Sequence, residues 1–81
     1  MKLPRDISGI DLVKALKNLG YCETRQTGSH IRLSIEKDEV QHHLTVPAHD
    51  PLKLGTLAAI IFDVAQHKKA SKDQVVRLLF G

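Results

Sequence analysis

Two stretches of strict period-two alternation, residues 29–35 and 40–46, most constrain what this chain can fold into. Apolar side chains occupy every second position of the first stretch, at Ile31, Leu33 and Ile35. Such alternation is typical of a strand with one face buried and the other in water. The second stretch stops at Pro47, which has no N–H to continue a strand ladder. With a further strand predicted at Tyr21–Gln26, the pattern predicts a three-stranded antiparallel meander.

Helical patterns flank these strands on both sides. Ser8 is a suitable cap for a predicted helix over residues 9–19, in which apolar side chains recur at helical spacing. A second helix is predicted to begin at Gly55 or Thr56, with Thr56 as its cap, and a capping box at Ser71 opens a short third helix. We therefore predict an α+β fold, a two-layer sandwich with the helices on one face of the sheet.

Length and charge limit the possible functions. Eighty-one residues predict one small domain spanning 1–81, and 12 Lys and Arg against 9 Asp and Glu give a formal net charge of +3. This charge is compatible with a polyanionic partner without requiring one. Because Cys22 is the only cysteine and no apolar stretch follows the charges of residues 1–6, we expect a soluble, cytoplasmic protein without a signal peptide. The longest apolar run, 57–62, is too short to cross a membrane.

The register between the last two strands follows from one condition. If an even-length turn pairs Ile35 with Val40, then Arg32 lies opposite His43, and the aliphatic side chains of both strands share one face. Polar side chains are then displayed together on the other face.

The register of the first strand depends on the turn before His30. If Thr27-Gly28 forms a two-residue loop, Arg25 lies opposite His30 and Glu23 lies opposite Arg32. A one-residue bulge would instead move Arg25 away and leave His30 in place.

These registers predict a polar cluster on the exposed face of the sheet. Its members are Arg25, His30, Arg32 and His43, with Glu23 at the edge. A guanidinium can hold an anionic oxygen, and an imidazole can move a proton near neutral pH. The pattern indicates chemistry on a phosphate. The alternative is an ordinary solvated strand face, which is normal in antiparallel sheets.

The remaining histidines and the cysteine have structural interpretations. His42 is in phase with the apolar side of its strand, so we expect it to be half-buried and hydrogen-bonded. His42 and His43 point to opposite faces and cannot bind one metal ion together. Since His49 lies in a loop and His67 near a helix end, we expect no metal site. Cys22 is expected on the core side as a small hydrophobic residue.

Several spaced motifs resemble those of the HicA toxin family and together cover nearly the whole chain. They are Leu19-Gly20-Tyr21, Gly28-Ser29-His30, Val46-Pro47, His49 and Gly55-Thr56-Leu57, followed by Ile60 and Ile61. HicA toxins are small bacterial ribonucleases that pair with HicB antitoxins, and their fold resembles double-stranded-RNA-binding domains. Family members often carry basic residues after Gly-Thr-Leu, whereas this chain has Ala58 and Ala59. We therefore expect the second helix to add little charge to RNA binding.

The resemblance implies a toxin that cleaves mRNA without a cofactor and is neutralised by a HicB-like antitoxin. The family's catalytic histidine corresponds to His30, which we expect to act as general base. Candidates for RNA contacts are Arg25, Ser29, Arg32 and His43, although Ser29 could instead only orient the turn. Metal-free cleavage needs a base for the 2′-hydroxyl, an acid for the leaving oxygen and cations for the phosphate.

Three functions of different classes are compatible with the sequence. The chain is an endoribonuclease inhibited by a protein antitoxin, a non-catalytic module that binds structured RNA, or an interaction domain whose basic face docks an acidic protein. The exposed His30 favours the first. Four cations near the carboxyl end are equally compatible with a solvated helix face and with an RNA-binding patch: Lys68, Lys69, Lys72 and Arg77.

Overall fold

A computed structural model describes residues 3–81 and confirms the predicted α+β architecture. Its elements are α1 (Gly9–Asn18), β1 (Cys22–Thr27), β2 (His30–Lys37), β3 (Val40–Pro47), α2 (Leu54–Lys68) and α3 (Lys72–Phe80). The three strands form one antiparallel sheet in the order β1-β2-β3, so the meander is also confirmed. Residues 1 and 2, part of the segment in which we expect no signal peptide, lie outside the described residues.

The helix starts follow local capping chemistry in two cases of three. Ser8 and Ser71 each accept a hydrogen bond from the backbone N–H three residues later, which confirms the predicted cap of α1 and the predicted capping box of α3. The start of α2 differs from the prediction. It begins at Leu54, Thr56 lies inside it, and the N-cap is Lys53, whose side chain makes no capping hydrogen bond. Burial of Leu57 and the apolar positions that follow it stabilises the helix without a cap.

An aliphatic core lies between the helices and one face of the sheet. The sheet contributes four buried side chains: Ile31, Leu33, Leu44 and Val46. The helices contribute their apolar stripes: Leu12, Val13 and Leu16 from α1, Leu57, Ile60, Ile61, Val64 and Ala65 from α2, and Val75 from α3. The opposite face of the sheet, here called the outer face, is open to solvent.

The first turn lies one residue later than predicted. Gly28-Ser29 is the two-residue loop, Gly28 has a positive φ of 58°, and Thr27 pairs with His30. An irregularity between Glu23 and Arg25 then shifts the strand by one residue. The later turn moves the partner of Arg25 by two residues, from His30 to Arg32, and so leaves Arg25 on the predicted side of the sheet; the irregularity changes the side only of the residues before it.

The second turn is tighter than predicted. The strands run through Lys37 and resume at Val40, so that Asp38-Glu39 alone forms the turn. Both turn residues have positive φ, 53° and 65°, as a type I′ hairpin requires. The strand pairing is consequently displaced by two residues from the prediction, and Arg32 lies opposite Thr45, not His43.

Gly9 connects α1 to the end of the sheet. Its N–H donates to the carbonyl of His49 at 2.8 Å. A Cβ at this position would collide with the carbonyl of Pro47. The first turn of α1 therefore approaches the end of β3 as closely as a backbone can, which holds the β3–α2 loop against the helix.

Candidate functional site

The outer face carries its polar side chains in rows that cross the sheet. Paired positions share a face, which gives three rows: Thr27, His30 and Pro47; then Arg25, Arg32 and Thr45; then Cys22, Ser34 and His43. Successive rows are about 7 Å apart along the strands. His30 and Arg32 therefore occupy neighbouring rows of the central strand.

Five side chains from the first two rows line an open depression of about 310 Å³. They are Arg25, Thr27, His30, Arg32 and Thr45. All three strands contribute, so the rigid sheet fixes the positions of these residues. The structure brings together three of the predicted site residues, Arg25, His30 and Arg32, by a pairing that the sequence did not predict.

Arg25 and Arg32 form a like-charged cross-strand pair, and both side chains line this depression. Opposed like charges destabilise a sheet when nothing compensates them. Within residues 3–81, neither guanidinium has a hydrogen bond or an ion pair with another side chain. The pair therefore presents two exposed forks of N–H donors whose geometry matches the oxygens of a phosphate.

Ser29 affects the site through its backbone. Its carbonyl accepts a hydrogen bond from the N–H of Ala48 at 2.6 Å, which ties the turn before His30 to the β3–α2 loop. That loop is held in turn by Gly9 and by a 2.7 Å bond from the N–H of Leu52 to the carbonyl of Ile7. The start of β2 is thus held by the β3–α2 loop, which is itself held by residues 7–9.

Two other predicted members lie elsewhere. His43 is exposed on the outer face opposite Ser34, one row beyond Arg32. Glu23 was expected at the edge of the cluster, but it pairs with Leu33 on the helix side of the sheet, and its carboxylate lies 3.8 Å from Lys17 Nζ. The strand irregularity after Glu23 causes this reversal.

The prediction for Cys22 was wrong for the same reason. Cys22 pairs with Ser34 and is exposed on the outer face. Because the irregularity falls between Cys22 and Arg25, both residues face outward despite their odd spacing of three positions. Alternation alone could not reveal it, since every residue of β1 is exposed and no buried side chain marks its phase.

The prediction that His42 is half-buried and hydrogen-bonded on the helix side of the sheet is confirmed. It is half-buried, and its Nδ1 lies 2.7 Å from the hydroxyl of Tyr21. Its Nε2 lies 3.3 Å from a carboxylate oxygen of Asp63 in α2. The ring of His67 stacks on it with centroids 4.5 Å apart. These contacts join β3 to α2.

The surroundings of His42 change the pKa values of two neighbouring groups, Tyr21 and His67. Burial, reinforced by the negative charge of Asp63, raises the pKa of Tyr21 to about 12. The Tyr21 hydroxyl therefore stays protonated beside Nδ1 of His42. Burial lowers the pKa of His67, and the positive fields of His42, Lys68 and Lys37 lower it further while Asp63 opposes them. Within the described chain, no three His, Cys, Asp or Glu side chains are grouped so that they could hold a metal ion.

Thr27 and Thr45 are the residues of the depression that sequence reasoning missed. Thr45 was expected on the outer face, but the predicted register placed His43 in its position. Thr27 was assigned to the turn. A preference for the two-residue turn Asp38-Glu39 would have given the correct row for Thr45.

The comparisons with known proteins give one result. A family model described as HicA toxin of bacterial toxin–antitoxin matches residues 9–71 of the 81. Neither the curated proteins nor the solved structures contain a significant match. In the part of the chain that the structure describes, no helix is both long and apolar enough to cross a bilayer. The match spans the strands and helices that form the site, so the chain belongs to the HicA family of toxins of bacterial toxin–antitoxin systems, which implies an antitoxin as its partner.

Proposed function

We propose that this chain is a metal-independent endoribonuclease that cleaves mRNA, with His30 as general base and a HicB-like antitoxin as its inhibitor. One observation carries the proposal. His30 lines the same depression as two guanidinium groups that have no ion-pair partner within residues 3–81. A base for the 2′-hydroxyl and cations for the phosphate are two of the three requirements for metal-free cleavage of a phosphodiester.

His30 takes the proton from a ribose 2′-hydroxyl, and the 2′-oxygen attacks the adjacent phosphorus. The bond from phosphorus to the 5′-oxygen breaks, which leaves a 2′,3′-cyclic phosphate and a 5′-hydroxyl. Arg32, one row away on the same strand, and Arg25 beside it stabilise the extra negative charge on the phosphate oxygens. Since DNA has no 2′-hydroxyl, the mechanism restricts cleavage to RNA.

The depression contains a single imidazole. His43 lies two rows beyond His30, about 13 Å along the strands, and is too far to protonate the oxygen that leaves the same phosphorus. We assign His43 and Ser29 to contacts with neighbouring nucleotides. The leaving oxygen takes its proton from water, and the enzyme is accordingly slow compared with nucleases that have two histidines.

The test is His30→Ala, assayed on single-stranded RNA by gel electrophoresis. Loss of a general base is expected to lower the cleavage rate by about 10² to 10⁴. Because His30 is exposed, the free energy of unfolding should change by only about 0.5 kcal/mol. Gln41→Ala, exposed at the far end of the sheet, is the matched control and should cleave at the wild-type rate. Equal cleavage by wild type and by the folded His30→Ala protein would contradict the assignment of His30 as general base.

Removal of metal ions provides a separate test. If His30 performs the proton transfer, cleavage by the wild-type protein should be unchanged in EDTA. Activity that EDTA abolishes and Mg²⁺ or Zn²⁺ restores would overturn the mechanism.

A further inference from the structure

A second concave surface lies far from His30. It measures about 490 Å³ and is bounded by the end of β2, the start of β3, the end of α2 and a residue of α3. We call it the lysine groove and define it by Lys37, Val40, Lys68, Lys69 and Leu78. His30 begins β2 and Lys37 ends it, about 23 Å apart. Val40 and Lys37 are also in phase with the buried side chains, so the groove opens on the helix side of the sheet.

The groove exposes apolar surface to an unusual degree. Val40 is 55% exposed and Leu78 is 56% exposed, more than any other large apolar side chain in the described residues. Both line this groove, together with the half-buried Ile35. Contiguous exposed apolar side chains bounded by charged ones are typical of an interaction surface.

The charges around this apolar floor are mostly positive. Lys37, Lys68 and Lys69 form no ion pair within residues 3–81, and Asp38 is the one carboxylate among the lining residues. His67 also lines the groove, and its lowered pKa favours its neutral form. The groove therefore combines an aliphatic floor with a net positive rim.

We propose that the lysine groove binds an acidic, amphipathic segment of a partner protein. Aliphatic side chains of that segment would pack on Val40 and Leu78, and its carboxylates would pair with the three lysines. A nucleic acid is a poorer fit. The one aromatic ring in the lining, that of His67, is already stacked on His42, and the lining has no arginine to hold a phosphate with two hydrogen bonds. This inference is independent of the proposed cleavage chemistry.

The probe is a fluorescent peptide of about twelve residues with leucines at helical spacing and glutamates at its other positions. Its control replaces every glutamate with lysine. The acidic peptide should bind saturably, weaken as salt is raised, and shift the amide resonances of Val40, Lys68 and Leu78. The lysine peptide should not bind.

Two variants test the two halves of the groove. Leu78→Ser removes exposed apolar surface and should weaken binding of the acidic peptide about tenfold. The double variant Lys68→Glu with Lys69→Glu should weaken it at least as much. Lys14→Glu, an exposed charge change on α1, is the matched control and should leave affinity within about twofold. Thermal unfolding of each variant confirms that it is folded.

Three results would overturn the proposal. One is the absence of saturable binding up to about 1 mM peptide. Another is peptide binding that shifts Arg25 and Arg32 but no residue of the groove. The third is a single-stranded RNA that shifts the groove amides and competes with the peptide, which would make the groove part of a nucleic-acid surface.

Discussion

Gly9 contributes to the site although it lies on the first turn of α1 and touches no residue of the depression. Its small size allows the helix to approach the carbonyl of Pro47, and Pro47 pairs with His30 across the sheet. Its N–H also holds the loop that bonds to Ser29. The absence of a side chain at Gly9 therefore helps to position His30, the proposed base.

Gly9→Ala is therefore expected to destabilise the protein. The new Cβ has no space, and overpacking of this kind costs about 1–3 kcal/mol. Gly55→Ala in α2 is the matched control, because a Cβ added there would meet nothing within 4 Å and alanine is the better helix former. Urea unfolding of both variants measures the effect. Equal stability of Gly9→Ala and wild type would show that α1 moves freely relative to β3.

Ionisation of Tyr21 makes the free energy of unfolding depend on pH in alkaline solution. Its pKa is 10.0 in an unfolded chain and about 12 in the folded protein, so the folded state holds the proton more tightly. Below pH 10 both states are protonated and the full contribution is present. Between pH 10 and 12 only the unfolded state loses the proton, and stability falls by about 1.4 kcal/mol per pH unit.

We expect Tyr21→Phe to remove this part of the pH dependence. The measurement is the free energy of unfolding of both proteins at several pH values between about 9 and 12, and the difference between them isolates Tyr21 from the lysines. At neutral pH the variant should lose about 1 kcal/mol of folding free energy, because the hydrogen bond between the Tyr21 hydroxyl and His42 is lost. Parallel profiles for the two proteins above pH 10 would contradict the assignment.

At the scale of elements, α2 is anchored more strongly at its end than at its start. Its carboxyl half packs on β3 through the contacts of His42 with Asp63 and His67. The pKa of His67 is lower in the folded protein than its ordinary value of 6.5. As the pH falls through this region, the unfolded chain protonates His67 before the folded protein does, so the free energy of unfolding decreases in mildly acidic solution. The start of the helix has no comparable interaction among the described residues.

Lys53→Asp should therefore stabilise the protein. Lys53 is the N-cap of α2 and makes no side-chain capping hydrogen bond, whereas aspartate both accepts from the first-turn N–H groups and interacts favourably with the helix dipole. The expected gain in the free energy of unfolding is about 0.5–2 kcal/mol. Lys53→Ala is the control that removes the lysine without adding a cap. If both variants have the same stability, the capping argument fails.

At the scale of the whole molecule, cationic surface is divided between two faces. The outer face carries Arg25 and Arg32 near the start of β2, and the lysine groove lies at the other end of the sheet on the helix side. Near the start of α2, Ala58 is half-buried and Ala59 is exposed, and neither adds charge to the surface. A protein that inhibits by covering the outer face would meet the same cations as the proposed RNA substrate.

Arg32→Glu is expected to weaken binding of both RNA and antitoxin. Loss of one partner from a buried charge pair at an interface costs about 2–5 kcal/mol. For RNA, loss of one phosphate contact should also reduce the slope of log affinity against log salt by about 0.7. Both ligands are titrated against the same variant by calorimetry, with Lys14→Glu as control. Unchanged antitoxin affinity together with weaker RNA binding would show that the two surfaces are separate.

The sequence by itself determined the elements and their order. Alternation in β2 and β3, the capping boxes at Ser8 and Ser71, and helical periodicity are local patterns that give correct information without knowledge of the fold. It also identified His30 and Arg32 as exposed neighbours, because buried side chains on either side fix the phase of β2.

Tertiary structure decided which residues meet. The register depends on turns that differ from their alternatives by one or two residues, and several local readings of Thr27–Ser29 and of residues 36–39 are physically reasonable. Strand β1 lies at the edge of the sheet and all its residues are exposed, so alternation could not reveal its irregularity. That irregularity places Cys22 and Glu23 on the faces opposite to those predicted. The contact of Gly9 with Pro47 joins residues 38 positions apart, and no local pattern encodes it. Long-range backbone packing, not local preference, therefore completed the site.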